Sequence, residues 1–180
     1  MLRGLHVFRA GYAMTESTLI SFSAPGIAEY KPGNLGNVTR VTELRIVDLN
    51  TGKPLGPNES GEIWVRGPQR TNGYLKNPKA TAENIDADGW LHTGDIGYYD
   101  DDECLYVVDR IKEMFKYQSC TVYPAEIEQF LLTHESIAEA AVVPVPHPID
   151  AYHPRAYVVL KHGEQVSAQQ IQQFVAGKYF

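Results

Sequence analysis

Cys104-Leu105-Tyr106-Val107-Val108-Asp109-Arg110-Ile111-Lys112 is the stretch at which this chain changes character. Its apolar first half reads as a short buried strand. Upstream, from about residue 30, the pattern is β-rich. Leu44, Ile46 and Leu49 form an imperfectly alternating strand, Thr51-Gly52-Lys53-Pro54-Leu55-Gly56-Pro57 supplies turn residues, and Ile63-Trp64-Val65 makes the next strand. Asn77-Pro78-Lys79-Ala80-Thr81-Ala82-Glu83-Asn84 predicts a short helix with proline near its start. Downstream, α and β mix. Pro124 opens a helix whose Ile127, Phe130 and Leu131 share one face, and the segments 140–145 and 156–160 read as strands. The segment 167–176 predicts a second helix, with Ser167 and Gln170 in capping-box spacing and Gly177 just past its end. The fold class expected is α+β. A β-barrel-like subdomain over residues 1–108 precedes a small α+β domain over 109–180 that shows no sign of being finished.

Bulk properties narrow the function classes. At 180 residues, with 43% hydrophobic and 21% charged residues, a soluble globular core is feasible. The net charge of −6 argues against nucleic acid or an anionic membrane as the main partner. The same charge repels a nucleotide, so a nucleotide site here must rely on local donors and Mg²⁺. Cys104 and Cys120 are too few for a disulfide framework and match no zinc spacing. The chain has no apolar run of the roughly 20 residues that span a bilayer, and its start, Met1 to Arg9, is too short and polar for a signal peptide. The histidines offer no metal pattern, because His147 and His153 lie among prolines and His134 ends a helix.

Three motifs carry possible chemistry. In Gly11-Tyr12-Ala13-Met14-Thr15-Glu16, a carboxylate beside a hydroxyl can hold Mg²⁺ and touch a phosphate oxygen, while Tyr12 can lie along a purine ring. The plain alternative is a solvated loop after a strand. In Trp90-Leu91-His92-Thr93-Gly94-Asp95, an aspartate on a glycine turn can accept hydrogen bonds from both ribose hydroxyls, or it can be an ordinary turn. In Asp109-Arg110-Ile111-Lys112, with Lys116 beyond, an arginine fork can bridge ribose or phosphate and a lysine can neutralise developing charge. Lys112 and Lys116 equally fit a solvated face. Asn72-Gly73-Tyr74-Leu75-Lys76-Asn77-Pro78 reads as structural.

In this order the motifs resemble the adenylate-forming (AMP-binding) superfamily: acyl-CoA synthetases, 4-coumarate–CoA ligase-like enzymes and luciferases. The likeness runs from about Arg9 to Phe180. It includes Lys31-Pro32-Gly33-Asn34-Leu35-Gly36, Ser60-Gly61-Glu62-Ile63-Trp64-Val65-Arg66-Gly67-Pro68 and Val122-Tyr123-Pro124-Ala125-Glu126-Ile127-Glu128. The spacings also fit, with 79 positions from Glu16 to Asp95, 15 from there to Arg110 and 6 more to Lys116. The resemblance implies that Tyr12 packs on adenine, Thr15 contacts the phosphate and Glu16 binds Mg²⁺. It implies that Asp95 and Arg110 hold the ribose, Asp109 is a hinge between two half-reactions, and Lys116 serves attack of CoA on the adenylate. The implied reaction joins a carboxylic acid to AMP from ATP and passes the acyl group to CoA. The alternatives are a luciferase-type monooxygenase, a nonribosomal-peptide adenylation domain, and a non-catalytic adenylate-binding or truncated product.

The chain also departs from the family pattern. The family's Gly/Ser/Thr-rich phosphate loop, its acyl pocket and the lysine of the first half-reaction have no counterpart here. The expectation is therefore the distal part of such an enzyme, inactive by itself. Ala13 stands where glycine is common, and Ser119 where glycine usually admits the thiol arm of CoA. Lys178-Tyr179-Phe180 is not a peroxisomal tripeptide, so an intracellular site, peroxisomal or cytoplasmic, is left open.

Overall fold

The computed structural model describes residues 9–23, 31–118 and 120–179. Ser119, the stretch 1–8 and Phe180 lie outside the described residues, and with them the CoA-arm position, most of the start examined for a signal peptide and the last residue of the tripeptide. The chain separates into two compact units, Met1–Val107 and Val108–Phe180.

In the first unit, strands β1 (Gly11–Met14), β2 (Thr18–Phe22) and β3 (Asn37–Val38) form one antiparallel sheet. Strands β4 (Glu43–Val47), β5 (Gly61–Arg66), β6 (Leu91–Tyr99) and β7 (Leu105–Arg110), whose last three residues are counted with the second unit, form a second sheet in that order. The α+β class is as expected. Among the described residues, however, the barrel-like subdomain is a pair of open sheets and not a closed barrel. Period-2 patterning explains the packing, since β5 alternates buried Gly61, Ile63 and Val65 with half-buried Glu62, Trp64 and Arg66. Register sets Leu44 opposite Val65 and Ile46 opposite Ile63, and these side chains join Tyr12, Ile20, Leu91 and Leu105 in one core. Leu49 lies beyond the end of β4 in an exposed turn, which corrects its assignment to that strand. Gly97 is required where β6 and β7 meet, because a Cβ there would stand 2.4 Å from the Tyr106 carbonyl oxygen.

Helix α1 (Pro78–Asn84) begins as its sequence dictates, with the Asn77 side chain accepting from the Ala80 N–H at 3.1 Å. On the other face of the β4–β6 strands, Arg45 lies over Trp64 and Trp90 at 4.6 and 4.0 Å, and Trp64 stacks on His92.

The second unit contains β8 (Phe115–Tyr117), β9 (Cys120–Val122), α2 (Pro124–Leu131), β10 (Ile137–His147), β11 (Ala151–Leu160) and α3 (Ala168–Tyr179). The periodic face read in α2 is the buried one. Leu131 joins Ile137, Val142 and Ile171 in a core lined by Ile127, and Phe130 stacks on Phe174 at 4.5 Å. The Glu128 carboxylate accepts from the Val142 N–H at 2.7 Å and so ties α2 to β10. The capping box of α3 forms as expected, with Ser167 Oγ accepting from the Gln170 N–H and Gln170 Oε1 accepting from the Ser167 N–H. Gly177 does not stop that helix, which runs on to Tyr179. A glycine ends a helix by taking a left-handed conformation, and Gly177 keeps a helical one.

Candidate functional site

The segment carrying Asp95 is positioned by a bulge. Glu62 pairs with Ile96 and Trp64 with His92, so β6 spends two more residues than β5 between those pairs. A bulge of this kind lifts a segment off the ladder and re-aims its side chains. Gly94, at φ +72°, supplies the left-handed step. The bulge is held by Thr93 Oγ1 donating to the Ile63 carbonyl at 2.7 Å and by the Gly94 N–H donating to Glu62 Oε1 at 3.1 Å. The Trp64 indole N–H donates to the other Glu62 oxygen at 2.7 Å and fixes that carboxylate in turn.

Asp95 is thereby buried, at 8% exposure, beside the equally buried Tyr12. The Tyr12 hydroxyl donates to Asp95 Oδ2 at 2.5 Å across 83 positions of sequence. A hydrogen bond to a buried carboxylate is among the stronger kinds, about 1.5–3 kcal/mol. Two residues predicted for opposite halves of an adenosine are thus held side by side. Ala13 sits at the irregularity between β1 and β2 without a positive φ, so the backbone there does not demand glycine.

The turn after β1 carries Thr15, which is exposed, and Glu16, which is half-buried. Glu16 Oε1 accepts from the Tyr74 hydroxyl at 2.9 Å, and its carbonyl accepts from the Thr71 N–H at 2.7 Å. Burial, and then the Glu16 carboxylate, push the Tyr74 phenol above its ordinary pKa, which keeps it a proton donor. Tyr74 belongs to the segment read as structural, and its contact with Glu16 is a role that reading missed. Glu62 was also missed. Their signals are long-range contacts, to which no local spacing points.

In the second unit, Asp109 is buried at 6% exposure. Its Oδ1 accepts from the Arg110 N–H at 2.7 Å and its Oδ2 from the Ala125 N–H at 3.0 Å. Ala125 is the second residue of α2, whose N-cap Tyr123 makes no side-chain cap. Asp109 therefore caps α2 from sixteen residues upstream, with its negative charge at the positive end of the helix dipole. Burial chiefly, with help from Glu126 and Asp109, raises the Tyr123 phenol. Lys116 is exposed on β8 and donates to Thr121 Oγ1 across the hairpin. Gln118 takes a positive φ of 46° in that hairpin's turn. Arg110 closes β7, where its side chain is exposed. His147 and His153, which offer no metal pattern in the sequence, meet Asp150 in one cluster in the fold.

The AMP-binding enzyme model matches residues 2–75, and the AMP-binding enzyme C-terminal domain model matches residues 126–179. The chain is 45% identical over 174 residues to 4-coumarate–CoA ligase 2 of Oryza sativa subsp. japonica, covering 94% of this chain and 31% of that protein. It is likewise 45% identical over 170 residues to luciferin 4-monooxygenase of Photinus pyralis, with the same coverage. Among solved structures, the ATP-bound RpMatB-BxBclM chimera B3 superimposes with a TM-score of 0.92 at 30% identity, over 97% of this chain and 35% of that one. The o-succinylbenzoate CoA synthetase of Bacillus subtilis in complex with AMP does so with a TM-score of 0.81 at 33% identity, over 94% of this chain and 34% of that one. The chain belongs to the AMP-binding enzyme family. It spans under a third of the length of the curated relatives it matches.

Proposed function

We propose that the protein to which this chain belongs activates a carboxylic acid with ATP, forming an acyl-adenylate and pyrophosphate, and then transfers the acyl group to CoA. The observation that carries this reading is the buried Tyr12–Asp95 pair on the β6 bulge, in a chain of this family. The Asp95 carboxylate, oriented by the Tyr12 hydroxyl, would accept from ribose hydroxyls, and the Tyr12 ring would pack on the purine. Arg110 serves as the second ribose anchor. The Thr15 hydroxyl is exposed for the phosphate, and Glu16, oriented by Tyr74, faces the cation. One half-buried carboxylate beside a hydroxyl fits Mg²⁺, which is commonly held through one carboxylate plus substrate phosphates. Bound there, Mg²⁺ would stabilise charge on the departing pyrophosphate.

Residues 1–108 then belong to the large adenylate-binding domain and residues 109–180 to the small C-terminal domain. Asp109 is the hinge between them, and Lys116 assists the thioester-forming step. The test uses the full-length protein with ATP, CoA and a panel of aryl and fatty acids, products being read by mass spectrometry. Acyl-AMP and acyl-CoA are expected from one class of acid, and Lys116→Ala should accumulate the first at the expense of the second. Absence of acyl-AMP with every acid would refute the reading. A luciferase-type second step is supported by the equal identity to luciferin 4-monooxygenase, and it would appear as acyl-AMP consumed by O₂ with light emission.

A further inference from the structure

We propose that His147, Asp150 and His153 form a surface binding site for a divalent transition-metal ion, Zn²⁺ foremost, at the tip of the β10–β11 hairpin. The hairpin register places His147 opposite Ala151 and Val145 opposite His153, so the two histidines occupy diagonal positions on one face. Their rings stack with centroids 3.7 Å apart at 24°. Asp150 stands in the turn between them. Its Oδ2 lies 2.7 Å from His153 Nε2 and 3.4 Å from His147 Nδ1. One ligand atom from each residue lies within 4.8 Å of the other two.

These separations suit a metal. Zinc takes imidazole nitrogen and carboxylate oxygen at about 2.0–2.2 Å, which sets tetrahedral ligand atoms about 3.3 Å apart. The two Asp150–histidine separations bracket that value, and turning the stacked imidazoles apart would let both lone pairs converge on one ion. His147 Nδ1 accepts from the Asp150 N–H at 3.4 Å, with its proton on Nε2, and would exchange that long hydrogen bond for the ion. His153 binds through Nε2 once its proton resides on Nδ1. The Tyr117 ring packs edge-to-face with His153, 5.0 Å away at 77°. All three residues are half-buried, so an ion can enter from solvent and water can fill its remaining position.

Two imidazoles and a carboxylate select Zn²⁺, Cu²⁺, Ni²⁺ or Co²⁺ over the Mg²⁺ proposed at Glu16, which prefers oxygen ligands. The site is therefore chemically separate from the one facing the nucleotide. The competing reading is that His147 and His153 only tie the turn to Asp150 by hydrogen bonds.

Untagged full-length protein titrated with Co²⁺ decides between them. The proposal expects visible absorption bands saturating at one ion per chain, displaced by Zn²⁺. His147→Gln and His153→Gln should each weaken binding by more than the roughly 10–100-fold that loss of an outer-sphere partner costs. His162→Gln, which alters an exposed histidine elsewhere in the unit, should bind as the unaltered protein does. Asp150→Asn provides a second reading should a histidine variant fail to fold by circular dichroism. No stoichiometric binding, or binding unchanged in the double variant of His147 and His153, would overturn the proposal.

Discussion

Asp109 shows how much one side chain can carry in this fold. Its two oxygens satisfy two backbone donors far apart in sequence, one on Arg110 and one in the first turn of α2. Replacing it with alanine should cost the second unit about 1–2 kcal/mol, the usual value of an N-cap, as measured by denaturant unfolding. An unchanged midpoint would mean that α2 finds another cap. Asp100 offers a pH prediction. Burial pushes its carboxyl up, but the Lys31 ammonium at 2.7 Å and the N–H groups of Cys104 and Asp102 together bring it below the ordinary carboxylate range. A carboxyl held lower in the folded chain adds stability that is present above its unfolded pKa of about 3.9. That stability is lost as pH falls through the lower folded value. Unfolding free energy should therefore drop through the acid range below about pH 4, and Asp100→Asn should flatten that part of the profile. Lys31, raised by the same pair, loses its share only at strongly alkaline pH. Single residues of this kind were partly legible in the sequence. Asp109 and Asp95 stood out by type and spacing, but the partners that give them their geometry, Ala125 and Tyr12, lie 16 and 83 positions away.

At the scale of elements, β4, β5, β7, β10, β11 and the three helices followed from local pattern because their causes are local. Pro78 and Pro124 open helices, Ser167 and Gln170 cap one, and β5 alternates along its length. The β6 bulge was not legible. It depends on which residues of β5 and β6 pair, and nothing within His92-Thr93-Gly94-Asp95 states that register. Glu62 holds the bulge through the Gly94 N–H while Trp64 holds Glu62. Glu62→Ala should therefore weaken AMP binding without removing any group proposed to touch the ligand. The loss of a hydrogen bond to a charged group, about 1.5–3 kcal/mol, corresponds to roughly 10–150-fold in affinity by calorimetry. Glu62→Gln, which keeps one acceptor, should recover part of it. An alanine variant that binds AMP normally would show that the bulge holds its shape without Glu62. The His147–Asp150–His153 cluster was hidden for the same reason, since a hairpin turn and its register bring together side chains that sequence spacing leaves apart.

For the whole molecule, the family and the α+β class were legible because three short motifs keep their order over most of the chain. The division of the first unit's strands into separate open sheets was not, since strand count and composition do not say whether a sheet closes. The central claim is that Asp95, fixed by Tyr12, is the ribose anchor of an acid-activating enzyme. Acid-dependent exchange of labelled pyrophosphate into ATP tests it most directly, in the full-length protein and in its Asp95→Ala variant. The account predicts exchange in the first and a loss of at least about 100-fold in the second, as expected when buried groups that position a substrate are removed. Exchange that persists at the original rate in Asp95→Ala, with the protein still folded, would contradict it.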